Sequence, residues 1–366
     1  MFKALLDDPN LGDLEKKYIL EAIDSNFVSI VGPFVTEFEE KFAQYIGSER
    51  AVSTQSGTAA LHMALYELGI GKGDEVIVPA FTFIATINPV LYVGAKPVII
   101  DMDPVTWNID PHEIKKAITE KTRAIIPVHV YGSVCNMEEI MEIAQENNLF
   151  VIEDATESLG ATYKNRHTGT FGDFGFFSFN GNKLITTGGG GMIVSNNKEK
   201  AEHIKFLVNQ ARDASKGYYH PELGFNFRMT NIEASLGLAQ LERIDKFLEK
   251  KRKFRRIYQE SFNDLPYIKF QQECDNAFGS WWLTSIIIDK INIDVNDLKT
   301  KLQEKGIPTR RVFMPAGEMP YLKDYSRPCP NAYEIHKKGI CLPSSTLNEE
   351  KDIKEAALII REVLNG

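Results

Sequence analysis

Three short segments of this chain hold residue types that do chemistry together. Lys183 stands in Ser178-Phe179-Asn180-Gly181-Asn182-Lys183 and is followed by Thr186-Thr187-Gly188-Gly189-Gly190-Gly191. A lysine five residues past a serine and just before a glycine run suits an amine held against a bound phosphate and a carbonyl. Taken alone, such a lysine is more often a solvated surface group beside a loop. Two upstream segments shift that balance. Gln55-Ser56-Gly57-Thr58-Ala59-Ala60-Leu61 is a small-residue turn entering a helix, and Val151-Ile152-Glu153-Asp154 is an apolar strand ending in a carboxylate. Phosphate cup, carboxylate and lysine, in that order, are the parts that a pyridoxal phosphate enzyme requires.

Each part has a physical role and a plainer alternative. Unpaired amides at a helix N-terminus attract an anion, so Gly57, Thr58 and Ala59 suit a phosphate; the same residues also suit an ordinary turn and helix cap. Asp154, at the end of a buried strand, needs a cationic partner, which a protonated pyridine nitrogen provides; alternatively it caps the next helix. Lys183 suits the covalent anchor for the cofactor carbonyl and the base that moves a proton at the reacting carbon.

The elements that must position these residues follow from periodicity. Helical patterns over 13–23 and 35–45 flank an extended, Gly- and Pro-marked loop. Apolar runs at 75–78, 97–100, 124–128, 149–152, 174–179 and 191–194, separated by helices such as 137–145, predict a mostly parallel sheet buried on both faces. Ligands on such sheets sit at the carboxyl ends of strands, where Asp154 lies. A long helical pattern over 231–262 contains Glu249-Lys250-Lys251-Arg252-Lys253, expected as a solvated face. It leads into a smaller α+β part with strands at 281–288 and 307–310 and helices at 295–305 and 351–364. The expected division is 1–255 for the N-terminal segment and large cofactor-binding domain, and 256–366 for the small C-terminal domain.

The chain resembles the DegT/DnrJ/EryC1/StrS family of nucleotide-sugar aminotransferases from about Gly32 to the C-terminal helix. The resemblance is carried by Ser56 to Leu61, Pro79-Ala80-Phe81-Thr82-Phe83-Ile84-Ala85-Thr86, Glu153-Asp154-Ala155-Thr156-Glu157-Ser158-Leu159-Gly160, Ser178 to Lys183, and Gly224-Phe225-Asn226-Phe227-Arg228-Met229-Thr230-Asn231. It implies a fold-type I, aspartate aminotransferase-like α/β architecture and pyridoxal 5'-phosphate as cofactor, with pyridoxamine phosphate between the half-reactions. It implies that Ser178 gives the phosphate a second hydroxyl and that Phe83 covers the ring while Phe81 belongs to the core. Glu157 matches the position near the cofactor's 3' oxygen, with a solvent-facing glutamate as the alternative. Asn226 matches an asparagine that reaches the cofactor phosphate of the other subunit, which implies a homodimer with shared active sites. Arg228 either meets substrate phosphate or braces its loop, and Arg310 and Arg311 either bind the nucleotide diphosphate or are surface charges.

The activity implied is amino transfer from L-glutamate to a nucleotide-linked 4-keto-6-deoxy sugar for polysaccharide or glycan synthesis. Glu157 and Asn180-Gly181-Asn182-Lys183 resemble enzymes of the UDP-4-amino-4,6-dideoxy-N-acetylglucosamine subgroup, in the bacillosamine and legionaminic acid pathways. The runner-up is a GDP-perosamine synthase or another nucleotide 4-keto-6-deoxy sugar transaminase. A rival of another class is a regulatory protein that binds the cofactor without turnover.

Composition is compatible with this. A length of 366 residues with 43% hydrophobic content is ample for two cores, and a net charge of -8 gives no long-range attraction to nucleic acid or an anionic membrane. The four cysteines show no metal-ligand spacing and read as reduced thiols of a cytoplasmic protein. The seven histidines do not cluster, so no metal is expected, and His129 reads as a structural residue.

Overall fold

The apolar runs up to Ser195 build one seven-stranded sheet in the computed structural model, which describes residues 3–365. Its strands are β1 (Arg50–Thr54), β2 (Glu75–Pro79), β3 (Lys96–Ile100), β4 (Thr122–Ile125), β5 (Phe150–Asp154), β8 (Phe174–Ser178) and β9 (Gly191–Ser195). Between β5 and β8 lie two short strands, β6 (Thr162–Tyr163) and β7 (Arg166–His167). The sheet order is β1-β9-β8-β5-β4-β2-β3, and only β9 runs against the rest. Strands such as β2, buried at all five positions, carry Val and Ile on both faces because helices cover both sides. β1 has only Ala51 and Val52 as apolar residues, too weak a pattern to declare a strand; pairing with β9 makes it one.

Beyond β9 the long helical pattern divides into helices Asn231–Leu241 and Ile244–Ser261. Arg243, at the break, donates to the Asn10 carbonyl (3.1 Å) and to Glu15 (2.5 Å), which ties the break to the N-terminal segment. The smaller sheet is antiparallel, in the order β10-β12-β14-β13, from β10 (Ile268–Phe270), β12 (Ser285–Ile288), β13 (Arg310–Arg311) and β14 (Gly339–Cys341). β11 (Ala277–Phe278) instead joins β6 and β7. Helices Val295–Glu304 and Glu350–Asn365 pack on the smaller sheet, the apolar faces of both entering one cluster with Phe254, Ile257 and Tyr258. The 255/256 division falls inside the Ile244–Ser261 helix, which gives Phe247 and Leu248 to another cluster.

The basic run on that helix differs from the solvated face expected of it. Lys251 is buried, and its Nζ donates to the carbonyls of Trp282 (2.7 Å) and Ser344 (2.6 Å). Arg252 donates to the carbonyls of Gly279 (2.9 Å) and Gly160 (3.0 Å), and Lys250 to that of Thr346 (2.8 Å). Charge pattern could not show this, because every acceptor lies far along the chain. Burial pushes the Lys251 amine down to about 7, with Asp7 opposing.

This depressed amine makes stability depend on pH. The folded amine loses its proton near pH 7 and the unfolded one near its ordinary value of 10.5, so the unfolded chain binds more protons between them. Stability contributed at this position therefore rises with pH across that window, by on the order of 1 kcal/mol per pH unit. Melting of wild type and Lys251→Met from pH 7 to pH 10 should show the difference moving in favour of wild type. A difference that stays flat would show that the amine titrates alike in both states.

Candidate active site

The ends of β1, β5 and β8 and the start of β9 meet at one edge of the large sheet. Ser178 and Thr54 both pair with Gly191, so the turn after β1 lies directly beside the end of β8. Two glycines permit that approach. A Cβ on Gly57 would lie 3.1 Å from Ser178 Cβ and 3.3 Å from the Phe177 carbonyl, and one on Gly191 would lie 2.5 Å from the Ser56 carbonyl carbon. Helix Gly57–Glu67 starts here, capped by Ser56, whose Oγ accepts from the Ala59 amide at 3.1 Å. Such a cap stabilises a helix by about 1 kcal/mol. The cap engages the Ala59 amide, whereas Gly57 and Thr58 begin the helix with no acceptor in a preceding turn. A helix N-terminus set against a hydroxyl, with no side chain between, fits a phosphate.

Lys183 lies beside this cup. Its Nζ is 3.3 Å from Glu157 Oε1 and 4.1 Å from the centroid of the Trp282 ring. Glu157 is buried, which settles the solvent-facing alternative against itself, and its other oxygen accepts from the Tyr131 amide at 2.8 Å. Burial raises the Glu157 carboxyl above the usual range, while the Lys183 ammonium and the Tyr131 amide oppose it. Trp282 is fixed by Nε1 donating to the Asn182 carbonyl (2.7 Å). Asn182 in turn donates to Asp7 (3.1 Å), which also accepts from Arg310 (2.8 Å). Trp282 and Asp7 carry no local sequence signal for this role; a tryptophan pair and an N-terminal acid come together only in three dimensions.

Asp154 is buried at the end of β5, and Oδ2 accepts from Thr86 Oγ1 at 2.6 Å, Oδ1 from the Thr156 amide at 3.1 Å. Turns and β6 follow it, so it caps no helix. Thr86 is itself 2.8 Å from Thr82 Oγ1. Among the described residues no cation pairs with Asp154, whereas Lys183 pairs with Glu157. A buried carboxylate without a cation is costly, and the protonated nitrogen of a pyridine ring fits the vacancy in charge. Glu153 points to the other face of the strand, accepting from the amides of Gly169 (2.8 Å), Phe171 (2.6 Å) and Gly172 (2.8 Å) and facing His129 Nε2 (3.2 Å). His129 Nδ1 accepts from the Cys135 amide, so the ring proton lies on Nε2 toward Glu153.

The remaining residues divide. Phe81 is fully buried, while Phe83 is 59% exposed and 6.2 Å from Phe313. Asn226 is exposed, with Oδ1 accepting from Arg228 Nη2 at 2.9 Å; Arg228 also donates to Asn209 at 2.6 Å. Arg228 thus braces its loop. Arg310 and Arg311 point apart, as adjacent strand residues do. Arg310 meets Asp7 and lies 5.6 Å from the Trp282 ring, but Arg311 donates to Asn296 (2.7 Å) and to the His336 carbonyl. The structure therefore does not bring the two arginines together.

A family model described as DegT/DnrJ/EryC1/StrS aminotransferase matches residues 9–361. GDP-perosamine synthase of Escherichia coli O157:H7 is 42% identical over 93% of this chain and 94% of its own. GDP-perosamine synthase of Caulobacter vibrioides is 40% identical over 97% of each chain. Among solved structures, Spr1654 from Streptococcus pneumoniae in its PLP form superposes with a TM-score of 0.91 at 26% identity, over 98% of each chain.

Thr86 is a positioning residue that sequence reasoning missed, because a threonine in an apolar segment looks like packing. Thr86→Val removes the donor to Asp154, and a hydrogen bond to a charged group contributes about 1.5–3 kcal/mol. Titration of apoprotein with pyridoxal phosphate should show affinity at least about tenfold weaker, with Thr86→Ser restoring it. Unchanged affinity in Thr86→Val would show that Asp154 is held without this hydroxyl.

Proposed function

The chain belongs to the DegT/DnrJ/EryC1/StrS aminotransferase family, and from that premise we propose that it moves the amino group of L-glutamate to the keto carbon of a nucleotide-linked 4-keto-6-deoxy sugar. It is a pyridoxal phosphate-dependent enzyme. Pyridoxal phosphate, when bound, supplies a carbonyl that takes the amine and a ring that accepts electron density. The amides of Gly57 and Thr58 and the hydroxyl of Ser178 hold the phosphate. Asp154, oriented by Thr86, keeps the ring nitrogen protonated, and Phe83 covers the ring. Lys183 would hold the cofactor carbonyl through Nζ, and that amine, once displaced by the donor's own amine, would take the proton from the donor's α-carbon and return one to the sugar carbon. Glu157 keeps the amine in reach, and the Trp282 ring closes one side against water.

One observation carries this reading: two buried carboxylates lie close in sequence, and only Glu157 has the lysine. Among the described residues none supplies a cation to the second, Asp154, which leaves it for one that the cofactor would bring. For the sugar, the relatives named GDP-perosamine synthase favour a GDP-linked substrate. The UDP-linked 2-acetamido sugar is the second reading, supported by Glu157 and Asn180-Gly181-Asn182-Lys183. Its position near the Trp282 ring supports Arg310, rather than Arg311, as the arginine that would meet the diphosphate.

We also infer that the protein is a homodimer with shared sites. Arg228 engages the oxygen of the exposed Asn226, and the Asn226 NH2 group would be the donor to a phosphate in a partner subunit.

Offering GDP-, UDP- and dTDP-linked 4-keto-6-deoxy sugars in parallel with glutamate should give the highest kcat/KM with the GDP sugar. A clear preference for the UDP sugar would establish the second reading, and failure with all three would remove the sugar assignment. Lys183→Ala should abolish turnover with each, and turnover near wild type would remove Lys183 from the mechanism. Mixed dimers of Lys183→Ala and Asn226→Asp chains should recover up to about half of wild-type activity, from one intact site of two. Verified mixed dimers as inactive as both parents would place Asn226 in its own subunit's site.

A further inference from the structure

A cavity of about 690 Å³, away from Lys183, opens where the Ile244–Ser261 helix passes the segment 265–281. Arg252, Arg255 and Arg256, spaced three and four apart on one helix face, line it together with Lys269. Among the described residues the arginines in ion pairs are Arg50, Arg243, Arg310 and Arg361, so none of these three has a carboxylate partner. Lys269 is paired with Asp289 at 2.8 Å. One acid, Glu273, reaches the wall, and its carboxylate accepts from the Gly279 amide at 2.5 Å.

Arg255 is the unusual member. It is 6% exposed, and its guanidinium lies 3.4 Å from the centroid of the Trp281 ring. Nη2 donates to the Gln271 carbonyl, but Nη1 has no partner, and neither does Gln271 Oε1. Burial lowers the guanidinium to about 10, with Glu273 opposing. A buried, unpaired cation and an unmet donor are both costly, and a bound anion removes both costs. The aromatic stack fixes the plane of the guanidinium, a fork suited to phosphate or carboxylate. The volume suits a small organic molecule and exceeds what an inorganic ion fills, and Phe262, Leu265, Ile268 and Phe270 give part of the wall an apolar surface.

We infer that this cavity binds an organic anion, a phosphate or carboxylate carried on an apolar or flat body, at a site separate from the catalytic one. Trp281 and Trp282 mark the separation: the ring of the first stacks on Arg255, and that of the second lies over Lys183.

The probe is 8-anilinonaphthalene-1-sulfonate, an anion with an aromatic body, titrated into the holoenzyme and read by fluorescence. Saturable binding is expected in wild type. Arg256→Glu and Gln259→Glu each reverse or add charge at an exposed wall position and should weaken binding at least about tenfold without a change in Tm. Displacement by adenosine monophosphate would identify a phosphate site, and displacement by citrate a carboxylate site. Binding that neither displaces, that does not saturate, or that both variants retain at full strength would overturn the inference.

Discussion

A carboxylate buried at a strand end, with no cation paired to it among the described residues, is the constraint around which this site is arranged. The Lys183 amine is paired with Glu157, while among the described residues Asp154 has no cation in a salt bridge. Its charge is held by two donors, the Thr86 hydroxyl and the Thr156 amide, which orient it without neutralising it. An unmatched charge in a low-dielectric position binds a cationic ring far more selectively than an exposed one does. The alternation of β5 makes this possible: Glu153, one residue earlier, turns to the other face and satisfies its own charge on three amides.

The same edge of the sheet explains the glycines. An anion cup made from backbone amides requires close approach of β1, β8 and β9, and the Cβ distances at Gly57 and Gly191 show how little space is left. The reversed direction of β9 brings Gly191 to the ligand edge, whereas the parallel strands bring their last residues. Glycine is thus used here for proximity rather than for flexibility.

Helix Ile244–Ser261 links this site to the rest of the chain. Lys251 holds the Trp282 and Ser344 carbonyls, and Trp282 closes over Lys183. The N-terminal segment closes the same region from another side, through Asp7 between Asn182 and Arg310. The lysine's surroundings are therefore assembled from parts of the sequence that lie far apart, from Asp7 to Arg310. Neither Asp7 nor Lys251 has a neighbour pattern that would single it out.

Much of the architecture was legible because it rests on local rules. Runs of β-branched and aromatic residues declared β2, β3, β5, β8 and β9, and amphipathic periods declared the helices, since both depend on nearest neighbours and a repeating face. Lys183, Asp154 and the Ser56–Leu61 turn stood out as candidate chemistry only together, because lysine, carboxylate and small-residue turn follow one another in an order that a single surface lysine or helix cap does not explain. Tertiary structure alone decided the rest. It engaged the Ala59 amide in a cap, turned Arg311 away from Arg310, buried Lys251 out of a run of charges, and made Thr86 the support of Asp154. Each of these depends on which donor meets which acceptor across tens or hundreds of residues, and no local period or propensity encodes that pairing.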